Sequence, residues 1–151
     1  MRNSYSPDDL EKLVSDIKKT GKGKDYDCLI GLSGGVDSSY LAYFAVRKLG
    51  LRPLAVHFDN GWNSELAVDN VNRIIDKLDL QLFTFVMNWE EFKDLQLSYM
   101  KASVVDLEVP TDHFIFATMY KYAHENGIKY ILNGWNYMTE SIMPTGWNSS
   151  K

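Results

Sequence analysis

The chain has 151 residues, 45% of them hydrophobic and 24% charged, which is the size and balance of one ordinary folded domain. Its 16 basic residues against 20 acidic ones leave a net charge of -4, and the basic ones are scattered rather than gathered into the stripe a nucleic-acid backbone requires. No apolar run approaches the ~20 residues of a bilayer span and no basic-then-apolar leader opens the sequence, so neither nucleic acid nor membrane is expected as a partner and a cytoplasmic location is expected.

In chain order, Leu10, Leu13, Val14 and Ile17 recur at helical spacing from Pro7 to Lys19, with Ser6 as cap. Asp27 to Leu32 reads as a buried strand entering a Gly-rich turn. Helical periodicity returns from Asp37 to Leu49, and Gly50 stops it. Pro53 to Phe58 is a second buried strand, Ser64 to Leu78 an amphipathic helix and Leu82 to Val86 a third strand. A helical stretch from Glu90 to Ala102, a loop around Pro110, a helix from about Asp112 to Asn126 and a strand from Lys129 to Leu132 complete the pattern. Such alternation predicts parallel βαβ units with helices on both faces, a doubly wound α/β sandwich forming one domain over residues 1–151. The loop-like stretch from Ile142 to Trp147 runs almost to the last residue, so the chain is expected to be a fragment of a longer protein.

The turn Ser33-Gly34-Gly35-Val36-Asp37-Ser38-Ser39 joins the first strand to its helix, the usual phosphate site of an open α/β sheet. The two glycines let backbone N–H groups converge on an anion, and the serines add hydroxyls. A carboxylate beside phosphate is repulsive unless a cation lies between them, so Asp37 implies Mg2+. Neither G-x-x-x-x-G-K-[ST] nor G-x-G-x-x-G is present. A tight glycine turn with capping serines satisfies the same spacing.

The string Ser33 to Ser38 closely resembles the SGGxDS signature of the PP-loop ATP pyrophosphatases, relatives of GMP, NAD, asparagine and argininosuccinate synthetases. The resemblance implies an adenine nucleotide alpha hydrolase-like, Rossmann-like parallel sheet. It implies ATP and Mg2+ as cofactors, adenylation of an acceptor oxygen with release of pyrophosphate, and displacement of AMP by a nitrogen or sulfur nucleophile. On this reading Ser33, Gly34, Gly35, Asp37, Ser38 and Ser39 hold the nucleotide, Asp37 and Ser38 are catalytic, and Asp37 binds the metal. Val56 to Gly61 is similar to the strand-end VDNG of GMP synthetase, which would set Phe58 against adenine and Asp59 near ribose or Mg2+. An ordinary Asp-Asn-Gly turn is the alternative. His57 joins the nucleotide-binding candidates through this segment, although its place within a strand reads as structural, like that of His124 late in a helix.

Leu132 to Ser141 resembles the G-x-n-E-S segment of GMP synthetase, with Gly134 letting the ligand pass close. Asn136 and Glu140 are then candidates for ATP, Mg2+ or acceptor, though Thr139-Glu140 reads equally as a helix start. Asp112 and His113 would face the same side of the sheet as the loop, making Asp112 a substrate candidate, while Thr111 reads as a helix cap.

Sulfur-transferring members generally use a catalytic cysteine or a cluster of several. The lone Cys28 sits inside the first strand, where it reads as a buried inert thiol, so nitrogen transfer is favoured. Over its length, through Asp27 to Gly35, Leu51 to Trp62 and Asn133 to Ser141, the chain resembles the N-acetyl sugar amidotransferases of surface polysaccharide (lipopolysaccharide) biosynthesis. That implies a nucleotide-linked or otherwise activated acetamido sugar as acceptor, ammonia from a separate glutaminase subunit, and a possible homodimer. The cysteine-containing segment before the ATP domain and the region after it in that family have no counterpart in this sequence. Another synthetase of the same fold, or an adenine-nucleotide-binding module without turnover, are the alternatives. Trp62, Trp135 and Trp147 are candidates for stacking on a sugar or for core and interface roles.

Overall fold

The computed structural model describes residues 6–135. Helix α1 (Pro7–Thr20) starts where Ser6 donates its backbone N–H to the Asp9 carboxylate at 2.9 Å, a capping box with proline in the first turn. Strand β1 (Cys28–Gly31) leads through the Gly-rich turn into α2 (Val36–Tyr43), which widens into a π-helical turn over Phe44–Lys48. Gly50, at φ +63°, ends it. Then follow β2 (Pro53–Asp59), α3 (Glu65–Leu78), β3 (Leu82–Val86), α4 (Trp89–Lys101), α5 (Val109–Glu125) and β4 (Ile131–Leu132). The strands form one parallel sheet in the order β3-β2-β1-β4. The expected α/β class is therefore present.

Alternation along the strands decides which helix covers which face. Leu29 of β1 with Leu54 and Val56 of β2 points toward Met119 and Ala123 of α5. Ile30 and Ala55 point the other way, onto Ala42 of α2 and Val71 of α3. Cys28, on that second face, packs with Ile17 of α1 and Ala45. Each such Leu, Ile, Val or Met side chain, fully removed from water, contributes roughly 1.5–3 kcal/mol, and central β1 is buried on both faces.

Three features differ from expectation. Helix α5 begins at Val109, with Pro110 inside its first turn, because proline lacks only an N–H that the first turn leaves unused. Thr111 consequently does not cap the helix; it is buried, and its hydroxyl has no partner among the described residues. In α1, Leu10 and Leu13 of the apolar stripe are exposed, and Ile17 alone is fully buried. The fourth strand keeps two residues of the four expected. Among the described residues no helix is long and apolar enough to cross a membrane.

Candidate active site

The sheet order places a topological switch point between β1 and β4, since the chain leaves β1 for β2 on one side and returns to β4 on the other. A crevice opens there beyond the carboxyl ends of the strands. It holds a cavity of about 410 Å³, bounded by the Ser33 to Ser38 turn, the end of β2, the first turns of α5 and the residues after β4.

The turn is tied together by its own serines. Ser38 Oγ accepts from the Ser33 N–H at 3.2 Å and lies 3.1 Å from Ser33 Oγ, while Ser39 Oγ donates to the Gly35 carbonyl at 2.6 Å. Gly34 adopts φ +79°, and a Cβ there would collide with the Ala67 carbonyl of α3. The first intrahelical bond of α2 runs from Ser39 N–H to Gly35 O at 3.1 Å, so the N–H groups of Val36, Asp37 and Ser38 precede any helical acceptor and point at the crevice with the positive end of the helix. Ser33, Gly35, Asp37 and Ser38 line the cavity; Gly34 and Ser39 do not.

After β4, Gly134 reaches this first turn closely enough that a Cβ would sit 2.9 Å from the Ser38 nitrogen. Its missing side chain therefore makes room for the backbone of α2, in addition to any ligand.

At the end of β2, His57 is buried and lines the cavity. The Leu32 carbonyl can only accept, so His57 donates from Nδ1 at 2.8 Å and its Nε2 accepts from Asn63 Nδ2 at 3.3 Å. Both nitrogens thus clamp β1 to the loop after β2. The Phe58 ring lies nearly parallel to Phe85 and Phe114, with centroids 5.9 and 6.5 Å away, and presents itself to the cavity from a fixed row of aromatics. The Asp59 carboxylate accepts from Gly61 N–H at 2.9 Å and Asn63 Nδ2 at 3.2 Å and does not line the cavity. Asn60 and Asn63 do, and neither stood among the residues singled out from sequence. Their signal was present in the Asn-Gly-Trp-Asn string, but amides in a turn read as turn formers.

From α5, Thr111, Asp112, Ile115 and Phe116 complete the wall. Burial, reinforced by Asp106 and Glu108, raises the Asp112 carboxyl above its usual range against the smaller pull of His113. His113 itself turns back, its Nδ1 2.8 Å from the Val109 carbonyl, and stays off the cavity. Trp135 lines the rim edge-on to Phe116 at 5.2 Å. Trp62, outside the cavity beside Asn60 and Asn63, is 64% exposed yet held by Gln96, which accepts from its Nε1 at 2.8 Å, and by Trp89 at 5.3 Å. Asn136, Glu140 and Trp147 lie outside the described residues.

The described lining contains two carboxylates, Asp37 and Asp112, and neither Lys nor Arg. Among the described residues no three His, Cys, Asp or Glu are grouped to hold a metal on their own. Exposed Asp37, with the serine hydroxyls beside it, is a hard-oxygen donor set of the kind that shares Mg2+ with phosphate oxygens. Cys28 is fully buried, and burial with the nearby Asp27 charge pushes its thiol up to about 12.

A parallel sheet with this strand order and a serine- and glycine-rich turn at its switch point is the arrangement of a PP-loop ATP pyrophosphatase domain. The chain belongs to the NAD synthase family, whose sequence profile matches residues 9–142. It is 42% identical over 66 residues to one subunit of the glutamine-hydrolysing GMP synthase of Methanocella arvoryzae, covering 43% of this chain and 21% of that protein. It is 28% identical over 135 residues to the tRNA-specific 2-thiouridylase MnmA of Clostridioides difficile, covering 78% of this chain and 37% of that protein. The chain therefore spans well under half the length of these relatives. Among solved structures, the NH3-dependent NAD synthetase of Campylobacter jejuni superposes with a TM-score of 0.60 at 19% identity, covering 84% of this chain and 55% of that one. The NMN synthetase of Francisella tularensis gives 0.61 at 21% identity, covering 89% and 56%. At such identities these two likenesses bear on the fold.

Proposed function

We propose that this chain is the ATP-binding part of a synthetase that adenylates an oxygen of its acceptor, releases pyrophosphate and passes the activated carbon to ammonia. The observation that carries this reading is the shared cavity: the turn after β1, the end of β2 and the first turn of α5 converge on a space suited to a nucleotide. The acceptor oxygen attacks the α-phosphate in line, and the bond from that phosphorus to the bridging oxygen breaks. Pyrophosphate departs toward the N–H groups of Gly35, Val36, Asp37 and Ser38, which stabilise its growing charge without rearranging. Ammonia then attacks the carbon, loses a proton and expels AMP. Mg2+, when bound, offsets phosphate charge that the lining residues do not, and Asp37 with Ser38 would hold it.

The relatives named as NAD, NMN and GMP synthetases favour an acceptor of nucleotide type. A sugar acetamido group, converted to an acetamidino group in surface polysaccharide synthesis, is the reading favoured by Trp135 at the rim of the cavity and Trp62 outside it, two large exposed rings. Ammonia from a separate glutaminase is consistent with the Methanocella relative being one subunit of a glutamine-hydrolysing enzyme. The buried Cys28 offers no accessible thiolate for sulfur transfer.

The experiment supplies Mg2+-ATP, ammonium and each acceptor class to the protein and separates the products. AMP with pyrophosphate is expected, and Asp37→Asn is expected to lower their formation by about a hundredfold or more. ADP with phosphate overturns the proposal, and nucleotide binding without turnover for any acceptor identifies a binding module instead.

A further inference from the structure

One restraint on the phosphate turn comes from outside it. Asn70, half-buried on α3, donates from Nδ2 to the Gly34 carbonyl at 3.2 Å. Ala67, one turn earlier on the same helix, is the residue whose carbonyl leaves no room for a side chain at Gly34. Helix α3 thus backs the turn at two points three residues apart, on one helical face.

The peptide joining Gly34 to Gly35 is trans, so its C=O and N–H point in opposite directions. With the oxygen held on α3, the Gly35 N–H is turned away from α3. There it meets Ser33 Oγ at 3.4 Å, a long contact that a phosphate oxygen would readily replace. The same peptide is flanked by two glycines, the residues least resistant to rotation, and Gly34 already sits at φ +79°. Were it to flip, a carbonyl oxygen would face the cavity where an N–H is needed, setting a dipole against the phosphate charge.

We infer that Asn70 is a positioning residue for the pyrophosphate cradle: by fixing the Gly34 carbonyl it prevents this flip and keeps the Gly35 N–H aimed at the leaving phosphates. The inference rests on the reading that the turn holds the phosphates of ATP. It predicts a loss confined to the phosphate end of the ligand, because the adenosine end meets the cavity elsewhere.

The test compares Asn70→Leu, which removes the donor at similar volume, with Asn70→Gln, which keeps an amide one methylene farther out. Calorimetry measures pyrophosphate, ATP and AMP binding to each, alongside thermal unfolding. In Asn70→Leu, affinity for pyrophosphate and ATP is expected to fall about tenfold with AMP affinity nearly unchanged, and Asn70→Gln is expected to recover part of the loss. Equal losses for AMP and pyrophosphate, or none for pyrophosphate, overturn the inference. Should Asn70→Leu not fold, Asn70→Ala, which removes the donor without adding charge, carries the same comparison. A parent protein that binds neither pyrophosphate nor ATP refutes the proposed function itself, a result separable from any variant.

Discussion

Asp27 shows how one charge organises the end of the sheet opposite the site. Only 5% exposed, it pairs with Arg52 at 2.7 Å and also accepts the Arg52 backbone N–H at 2.9 Å. Burial alone would raise its carboxyl, but the Arg52 side-chain and backbone hydrogen bonds, with attraction from Arg52 and Lys18, outweigh it and leave the group below its ordinary range. A depressed acid stabilises the fold above its unfolded pKa of about 3.9, and that contribution is lost as pH falls through the folded value. Asp27→Asn is therefore expected to cost on the order of 1–2 kcal/mol at neutral pH, moderated by the exposure of Arg52, and urea titrations should show the difference closing below about pH 4. Asp112 has the opposite sign. Its raised carboxyl means that ionisation opposes folding as pH rises from the unfolded value through the folded one. Asp112→Asn is expected to be neutral or slightly stabilising at pH 7 while weakening ligand binding, with thermal melts and calorimetry as the two measurements. A destabilised variant with full affinity would contradict the assignment of Asp112 to the wall of the site.

At the scale of elements, Gly134 and α2 make a joint whose tolerance is measurable. Gly134→Ala places a Cβ 2.9 Å from the Ser38 nitrogen, so the residues after β4 must retreat from the phosphate turn. Weaker ATP binding is expected with a stability loss of about 1–3 kcal/mol, and unchanged affinity would show that the joint does not shape the site. The strands and most helices were legible in the sequence because period and punctuation agree there: Cys28 to Gly31 is apolar on both faces, and Ser64 accepts from the Ala67 N–H at 3.2 Å as a cap should. Pro110 misled because the same residue type ends one element or opens the next, and only tertiary contacts decide which. Leu10 and Leu13 misled because periodicity shows that a stripe exists without showing how far a neighbour extends along it. The Ser33 to Ser39 turn was legible as a local string. Asn60, Asn63, Asn70 and Phe116 were not, since their roles arise from segments brought together by the fold.

At the scale of the whole molecule, the switch point explains why the crevice opens beyond the carboxyl ends of the strands. Strands β1 and β2 carry the turn and the loop after His57, while α5 and β4 close the opposite wall. Two exposed tryptophans fall into the same division: Trp62 stands beside the loop after β2 and Trp135 beside the residues after β4.

The two-residue pairing of β4 with β1 has a consequence for synthesis. Leu29 and Ile131 are direct partners in the sheet yet lie far apart in the chain, so the wall containing Asn133, Gly134 and Trp135 closes only after nearly all the described residues have left the ribosome. The Ser33 to Ser39 turn is translated early and waits for that wall. A nascent chain halted at Gly127 carries the turn but not the completed crevice, whose last wall arrives with β4.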